Sequence, residues 1–159
     1  MVKKISIATL LVILIGFNFS IFQKEQIKNS ADEVILKLRP VDPRSIIQGD
    51  YMTLAYEVEE QSNKVNKDVK KPGFLIIEKG ENNIANFVDF YKDQPLTKNQ
   101  KLIKYYSNWQ GARVHPHSFM FQEGKAKDFQ QAKYALFKYN GDSDYLLDSL
   151  LNEKLEKIN

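Results

Sequence analysis

An unbroken apolar run near the start of the chain is its strongest hydropathy pattern. Residues 5–22, ISIATLLVILIGFNFSIF, contain no charged side chain. Eighteen residues make about 27 Å of helix, close to the roughly 30 Å hydrocarbon core of a bilayer. The apolar side chains would go all round such a helix, whereas a core helix keeps them on one face. The run therefore predicts a transmembrane helix that contacts the lipid bilayer through residues 5–22.

The flanks of this run predict its orientation. Lys3 and Lys4 precede it, so residues 1–4 are expected to form a cytoplasmic stub, with the rest of the chain exported. A cleaved signal peptide is the alternative, but cleavage requires small residues, and the run ends in bulky Phe19 and Phe22. We expect an uncleaved signal anchor in the cytoplasmic (inner) membrane. The polar residues 23–31 predict a helical or flexible linker that breaks at Asn29–Ser30.

From residue 32 onward the pattern changes to alternation with a period of two, which is typical of strands. In 33–40 the alternating aliphatic residues are Val34, Leu36 and Leu38. The segment YMTLAYEVEE, residues 51–60, alternates in the same way and predicts a strand. Further strands are expected within 73–91, 101–109, 117–124 and 132–151, with hairpin turns at 79–83 and 140–142.

Seven or eight short strands separated by turn signals predict an all-β fold, a small antiparallel sandwich or barrel-like domain over residues 32–159. No ten-residue segment between 32 and 145 shows helical periodicity, and the polar segment 62–72 predicts a loop. The final segment is ambiguous. Its leucines have helical spacing, but the preceding hairpin favours a strand through about residue 150.

Composition narrows the function classes. Lysine and arginine exceed aspartate and glutamate by 23 − 20 = 3 without a long basic block, which does not favour nucleic-acid binding. The chain has no cysteine, which excludes disulfides, thiolate catalysis, zinc–thiolate sites and lipoprotein acylation. No cofactor motif is present, because the glycines are isolated rather than arranged in a phosphate-binding loop.

The segment VDPRSIIQGDYMTLAYEVEE, residues 41–60, holds the main candidate site. Asp42–Pro43 has the composition of a turn, and Gly49 suits a positive φ or a close backbone approach. These features are explained by a demanding corner in a β-domain, where Asp50 bonds backbone amides. The functional alternative is a polar cluster of Asp42, Arg44, Gln48 and Asp50 at the mouth of a barrel, with Glu123 pairing with Arg44 across the fold.

The letters Gly49–Asp50–Tyr51–Met52–Thr53–Leu54–Ala55–Tyr56 resemble the pattern that names the GDYXXLXY family of bacterial membrane-anchored proteins. RPVDPRSIIQ, FMFQEGKAKDF and AKYALFKY resemble further blocks of that family in the same order. The resemblance implies an N-terminal helix, an exported domain without an assigned reaction, and a multi-pass membrane protein as partner. The residues singled out for binding are Asp42, Arg44, Gly49, Asp50, Tyr51, Leu54, Tyr56 and Glu123.

Two other chemistries are weaker. His115–Pro116–His117 suits two metal ligands on an extended chain, but a site needs three or four ligands, so no metal is expected. A Ser/Lys hydrolase resembling signal peptidases would need Ser45 as nucleophile with Lys133 or Lys138 as base, and the spacing before Gly49 does not match. Trp109 is either a ligand platform or, more commonly, a plug in a β-core.

The sequence thus predicts a non-catalytic accessory or interaction domain that is anchored in the membrane and works with a multi-pass membrane protein. The alternative is a membrane-tethered hydrolase or small-ligand-binding domain with a pocket near the Gly49–Tyr51 corner.

Overall fold

A computed structural model describes residues 2–39, 51–66, 69–109 and 111–158. The chain begins with helix α1, Val2–Lys28. Its segment Ile5–Lys28 is long and apolar enough to cross a membrane. The most apolar 18-residue stretch of that segment has a mean hydropathy of 2.3, and none of it is buried inside the protein. The predicted helix is therefore confirmed, and it continues beyond the apolar run into the polar linker.

Nine strands follow in the described part of the chain. They are β1 (Asp32–Lys37), β2 (Tyr51–Thr53), β3 (Gly73–Lys79), β4 (Ala85–Phe90), β5 (Gln100–Asn108), β6 (Gly111–Val114), β7 (Ser118–Met120), β8 (Tyr134–Asn140) and β9 (Asp144–Leu151). Two short helices, α2 (Glu57–Val65) and α3 (Ala126–Phe129), and a 3₁₀ turn, Glu81–Asn83, interrupt them.

The strands pair antiparallel in three sheets, in the orders β1-β8-β9, β4-β3-β5-β6 and β2-β7. They form a half-barrel, which confirms the all-β prediction. The hairpins β3–β4 and β8–β9 turn at the predicted positions, and the ambiguous C-terminal segment is strand β9 through Leu151. Strand β6 was not predicted, because it has only four residues between two closely spaced turns.

The core explains why the alternating segments became strands. Val34 and Leu36 on one face of β1 are fully buried with Leu75, Ile77 and Ile103 of the larger sheet. Each fully buried aliphatic side chain contributes about 1.5–3 kcal/mol. Ile35 points to the opposite face, where it packs with Leu136 and Leu151 in a second, smaller cluster.

The prediction of one long strand over residues 51–60 was wrong. Strand β2 ends at Thr53, and α2 begins at Glu57 and continues to Val65, inside the segment expected to be a loop. The apolar alternation continues across this junction although the strand has ended. Val58 is buried because it lies on the inner face of helix α2. Three acidic residues in the first turn of α2 favour the helix, since they interact with its positive N-terminal end.

Candidate functional site

The second half of the candidate corner is built into the core. Leu54 and Tyr56 are 1% and 0% exposed. The Leu54 amide donates to the His117 carbonyl oxygen at 2.8 Å, and the Tyr56 hydroxyl donates to the Pro116 carbonyl oxygen at 2.6 Å. Burial raises the pKa of Tyr56 well above its ordinary value, so the hydroxyl stays protonated as a donor. Both residues hold the loop between β6 and β7 in place.

A buried carboxylate lies one helical turn beyond this corner. Glu59 of α2 is 1% exposed and accepts a 2.9 Å hydrogen bond from the Val114 amide through Oε1. Its other oxygen, Oε2, lies 3.7 Å from a guanidinium nitrogen of Arg39 and 3.6 Å from one of Arg113. Burial raises the pKa of Glu59, and the Val114 amide and the two arginines offset this only in part.

This cluster ties three parts of the domain together. Arg39 follows β1 and its backbone amide donates to the Ala55 carbonyl oxygen at 2.8 Å. Arg113 of β6 also donates to the Leu54 carbonyl oxygen at 3.3 Å. The charged groups of Glu59 and Arg113 are thus directed at the backbone of the protein itself, which is an architectural use of buried polar chemistry.

The other predicted site residues separate into two groups. Asp42, Arg44, Gly49 and Asp50 lie outside the described residues, as do Gln48 and Ser45. Tyr51 is 45% exposed on β2, and Glu123 is exposed in the turn after β7.

Lys138, considered as a base, is instead held in an ion pair with Glu33 at 2.9 Å. Trp109 is 88% exposed, so the prediction that it plugs the core was wrong.

The two histidines lie near each other in the β6–β7 loop. The ring centroids of His115 and His117 are 6.5 Å apart, and the His117 ring packs edge-on against Tyr106. Within the residues that the structure describes, no three histidine, aspartate or glutamate side chains form a group that could hold a metal ion. The pair therefore belongs to the surface of the β6–β7 loop.

A cavity of about 520 Å³ opens beside that loop, between the polar end of α1 and the edge strand β9. This volume lies within the usual range for small-molecule sites. Its lining residues come from four separate segments: Lys24, Lys104, His115, Pro116, Ser118, Phe119, Met120, Ser143, Asp144, Tyr145, Leu146 and Leu147. We call it the helix-end pocket.

Tyr145 holds the wall of the helix-end pocket together. Its hydroxyl donates to the His115 carbonyl oxygen at 2.7 Å and accepts from the Lys104 backbone amide at 3.0 Å. Burial raises the pKa of Tyr145 to about 12, although the Lys104 amide acts to lower it. The tyrosine therefore stays neutral and joins β5, β9 and the β6–β7 loop.

The end of α1 is fixed to the domain next to this pocket. Ile27 is 4% exposed where α1 packs on β8 and β9, and the Lys138 ammonium donates to the Ser30 carbonyl oxygen at 3.1 Å. Just beyond, Asp32 binds Lys79 at 2.6 Å and Lys101 at 2.8 Å. The apolar helix and the β-domain are thereby joined through packed side chains and ion pairs.

Sequence reasoning missed Glu59, Arg39 and Arg113 as one cluster, because Glu59 lies in the segment 51–60 that was predicted to be a strand. The three glutamates after Tyr56 were the available signal for a helix that begins there. It also missed the helix-end pocket, whose walls are separated by up to about 120 residues in sequence and carry no motif.

A family model described as GDYXXLXY protein matches residues 13–150. No curated protein and no solved structure matches the chain.

Proposed function

The chain belongs to the GDYXXLXY family, and on that premise we propose that it is a membrane-anchored, non-catalytic accessory protein. Residues 5–22 of α1 cross the cytoplasmic membrane, and residues 32–159 form an exported domain at its outer surface. There the domain works with a multi-pass membrane protein.

The observation that carries this proposal is that α1 is exposed along its apolar part and docked on the β-domain at its polar end. Its apolar part is bare, with side chains such as Val12 and Ile15 more than two-thirds exposed, and bare apolar surface of this extent is stable only in lipid or against another protein. Its polar end is docked on the β-domain through Ile27. A helix that is both bare and docked holds the domain close to the membrane surface.

A non-catalytic role agrees with how the buried polar groups are used. Tyr56, Glu59 and Tyr145 all direct their side chains at backbone groups of neighbouring segments. A catalytic nucleophile needs a base within hydrogen-bond reach, oriented by a third group. The hydroxyls of Tyr56 and Tyr145 and the Oε1 atom of Glu59 are engaged in backbone contacts instead.

The test uses the full-length chain with a tag at Asn159. The membrane fraction is extracted at alkaline pH, the intact mass is measured, and detergent-solubilised protein is purified through the tag. We expect resistance to extraction, an intact mass near 18.5 kDa plus the mass of the tag, and one stoichiometric multi-pass membrane protein in the eluate. A shortened mass would identify a cleaved signal sequence, and a monomer eluting alone would overturn the accessory role.

A matched pair of variants separates anchoring from surface charge. Val12→Lys with Ile15→Lys places two charges in the bare span, and each charge at the centre of a bilayer costs about 3 kcal/mol. Val65→Lys with Val88→Lys places two charges on exposed valines of the β-domain. Only the first pair should release the protein from the membrane and remove the partner.

A further inference from the structure

The helix-end pocket carries more positive than negative charge. Lys24 and Lys104 line it with a single carboxylate, Asp144, which gives 2 − 1 = +1 from the lysine and carboxylate groups. Neither lysine ammonium forms an ion pair with any residue that the structure describes, and that of Lys104 lies 5.7 Å from the Phe74 ring centroid. No described carboxylate therefore neutralises either ammonium group, and the hydroxyls of Ser118 and Ser143 are further donors.

The position of Lys24 on α1 places the pocket at the depth of lipid headgroups. Lys24 lies two residues after Phe22, the last residue of the apolar run, which is about 3 Å along a helix axis. The polar headgroup layer outside the hydrocarbon core is about 5–7 Å thick on each side. One wall of the pocket thus lies within that layer whenever residues 5–22 span the membrane.

The helix-end pocket also has apolar lining residues, one of which is exposed. Phe119, Met120, Leu146 and Leu147 line it, and Met120 is 80% exposed. Tyr51 lies directly across from Met120 in the β2–β7 pair and is 45% exposed. A tyrosine beside an exposed apolar side chain is typical of protein surface at a membrane interface.

We propose that the helix-end pocket binds an anionic phospholipid of the surrounding leaflet, an inference that rests on the proposed membrane anchorage. Lys24 and Lys104 bind the phosphate, and the exposed side chain of Met120 contacts the glycerol and upper acyl chain. The fold brings a cationic group of the anchor helix and an exposed apolar side chain of the domain to one cavity, which matches an amphiphile with a charged head.

The experiment is native mass spectrometry of the full-length chain in non-ionic detergent, titrated with phosphatidylglycerol, phosphatidylcholine or inorganic phosphate. Lys24→Ala with Lys104→Ala removes the two pocket cations. Lys70→Ala with Lys71→Ala is the matched control, because these two exposed lysines do not line the pocket. They follow Val69, whose carbonyl oxygen accepts a hydrogen bond from Ser107 near the far end of β5. Thermal melting verifies that both double variants are folded.

We expect wild type and control to retain phosphatidylglycerol in preference to phosphatidylcholine. The pocket variant should bind it about 25-fold more weakly, at about fivefold for each lysine near a membrane surface. Inorganic phosphate should not displace the lipid, because it lacks the apolar part.

Three results would overturn the proposal: equal retention of both lipids, equal loss in both double variants, or displacement by inorganic phosphate, which would identify a free-anion site. Alkaline extraction of the same samples separates this from the proposed function. If the pocket variant stays in the membrane and binds phosphatidylglycerol as tightly as the wild type does, only the lipid site is contradicted. If the wild-type protein is absent from the membrane, both proposals are contradicted.

Discussion

At Glu59 the fold buries a carboxylate among groups that compensate its charge only in part. Glu59→Ala would leave the Val114 amide without its acceptor and would remove the anion between Arg39 and Arg113. We expect a loss of about 3 kcal/mol in the free energy of unfolding. Glu59→Gln keeps an oxygen for the Val114 amide and should cost clearly less. Chemical denaturation in detergent, followed by circular dichroism, measures both values.

The matched control for this prediction is Glu60→Ala on the same helix. Glu60 lies 2.9 Å from Lys64 on the solvent face, where a pair of exposed charges contributes little. If Glu60→Ala destabilises the protein as much as Glu59→Ala, the buried cluster has no special role.

The same carboxylate gives the protein a specific pH dependence. Because burial raises the pKa of Glu59 above its ordinary 4.5, the folded state binds this proton more tightly than the unfolded chain. The contribution of Glu59 to stability therefore increases as the pH falls through the folded pKa towards 4.5. Denaturation between pH 7 and 4.5 should show this slope in the wild type, and Glu59→Gln should flatten it.

The acidic groups near α1 and on β9 act in a lower and separate pH range. Burial acts to raise the pKa of Asp32, but Lys101 and Lys79 outweigh it and lower the pKa below 3.8. Asp148 is lowered likewise by Lys157 against its burial. Their stabilising contribution is present above pH 3.8 and is lost only as the pH falls through these lowered values. If the free energy of unfolding of Glu59→Gln changes with pH above 4.5 as steeply as that of the wild type, the pH dependence does not come from Glu59.

At the scale of elements, the Asn63 side chain is one of the polar groups that attach α2 to the larger sheet. Asn63 accepts from the Ala112 amide at 2.8 Å and donates to its carbonyl oxygen at 3.4 Å. Gly111 makes this possible, since its φ is +111° and an added Cβ would overlap the Asn63 Oδ1. Gly111 therefore allows α2 to contact the β5–β6 hairpin at this point.

Gly111→Ala should destabilise the protein by about 3 kcal/mol, because it adds backbone strain and displaces Asn63. Gly124→Ala is the matched control: its φ is +86°, but nothing lies within 4 Å of the added Cβ, so only strain of about 1 kcal/mol is expected. Thermal unfolding of both variants gives the comparison. Equal losses would mean that the contact with Asn63 contributes nothing.

The elements also show which part of the fold the sequence could predict. Strands β1, β3, β4, β5, β7, β8 and β9 lie in the segments that alternation or a short apolar run marked as strands. Helix α2 was missed because its buried face includes Glu59 and Ser62, which no apolar pattern marks, and because Tyr56 at its N-cap makes no side-chain cap. A helix held by polar contacts to another element is not readable from hydropathy alone.

For the molecule as a whole, the apolar helix was predictable and the pocket at its end was not. Eighteen uncharged residues are a local signal, whereas Lys24, Lys104 and Tyr145 come together only through the order of the strands in two sheets. The identity of the GDYXXLXY motif was readable, but the structural role of Leu54 and Tyr56 depended on the carbonyl groups of residues 116 and 117. Such partners are set by topology, so sequence spacing does not contain them.

The docking of α1 on the β-domain makes a prediction at this largest scale. Ile27 is the buried side chain of the helix end, and Ile27→Ala should weaken the docked state by about 2 kcal/mol. That change increases the undocked population roughly 30-fold, so trypsin should cleave after Lys28 correspondingly faster in full-length protein in lipid nanodiscs. The sheets have their own core, so exchange of their amide hydrogens should be little affected.

Ile21→Ala is the matched control, because Ile21 lies on the same helix but is 57% exposed and belongs to the lipid-facing run. Its cleavage rate should equal that of the wild type. Equal acceleration in both variants would show that the helix itself, rather than its contact with β8 and β9, had been weakened. An unchanged rate in Ile27→Ala would mean that the ion pairs of Asp32 with Lys79 and Lys101 suffice to hold the helix end. Only a rate that rises in Ile27→Ala alone assigns the docking to this one side chain.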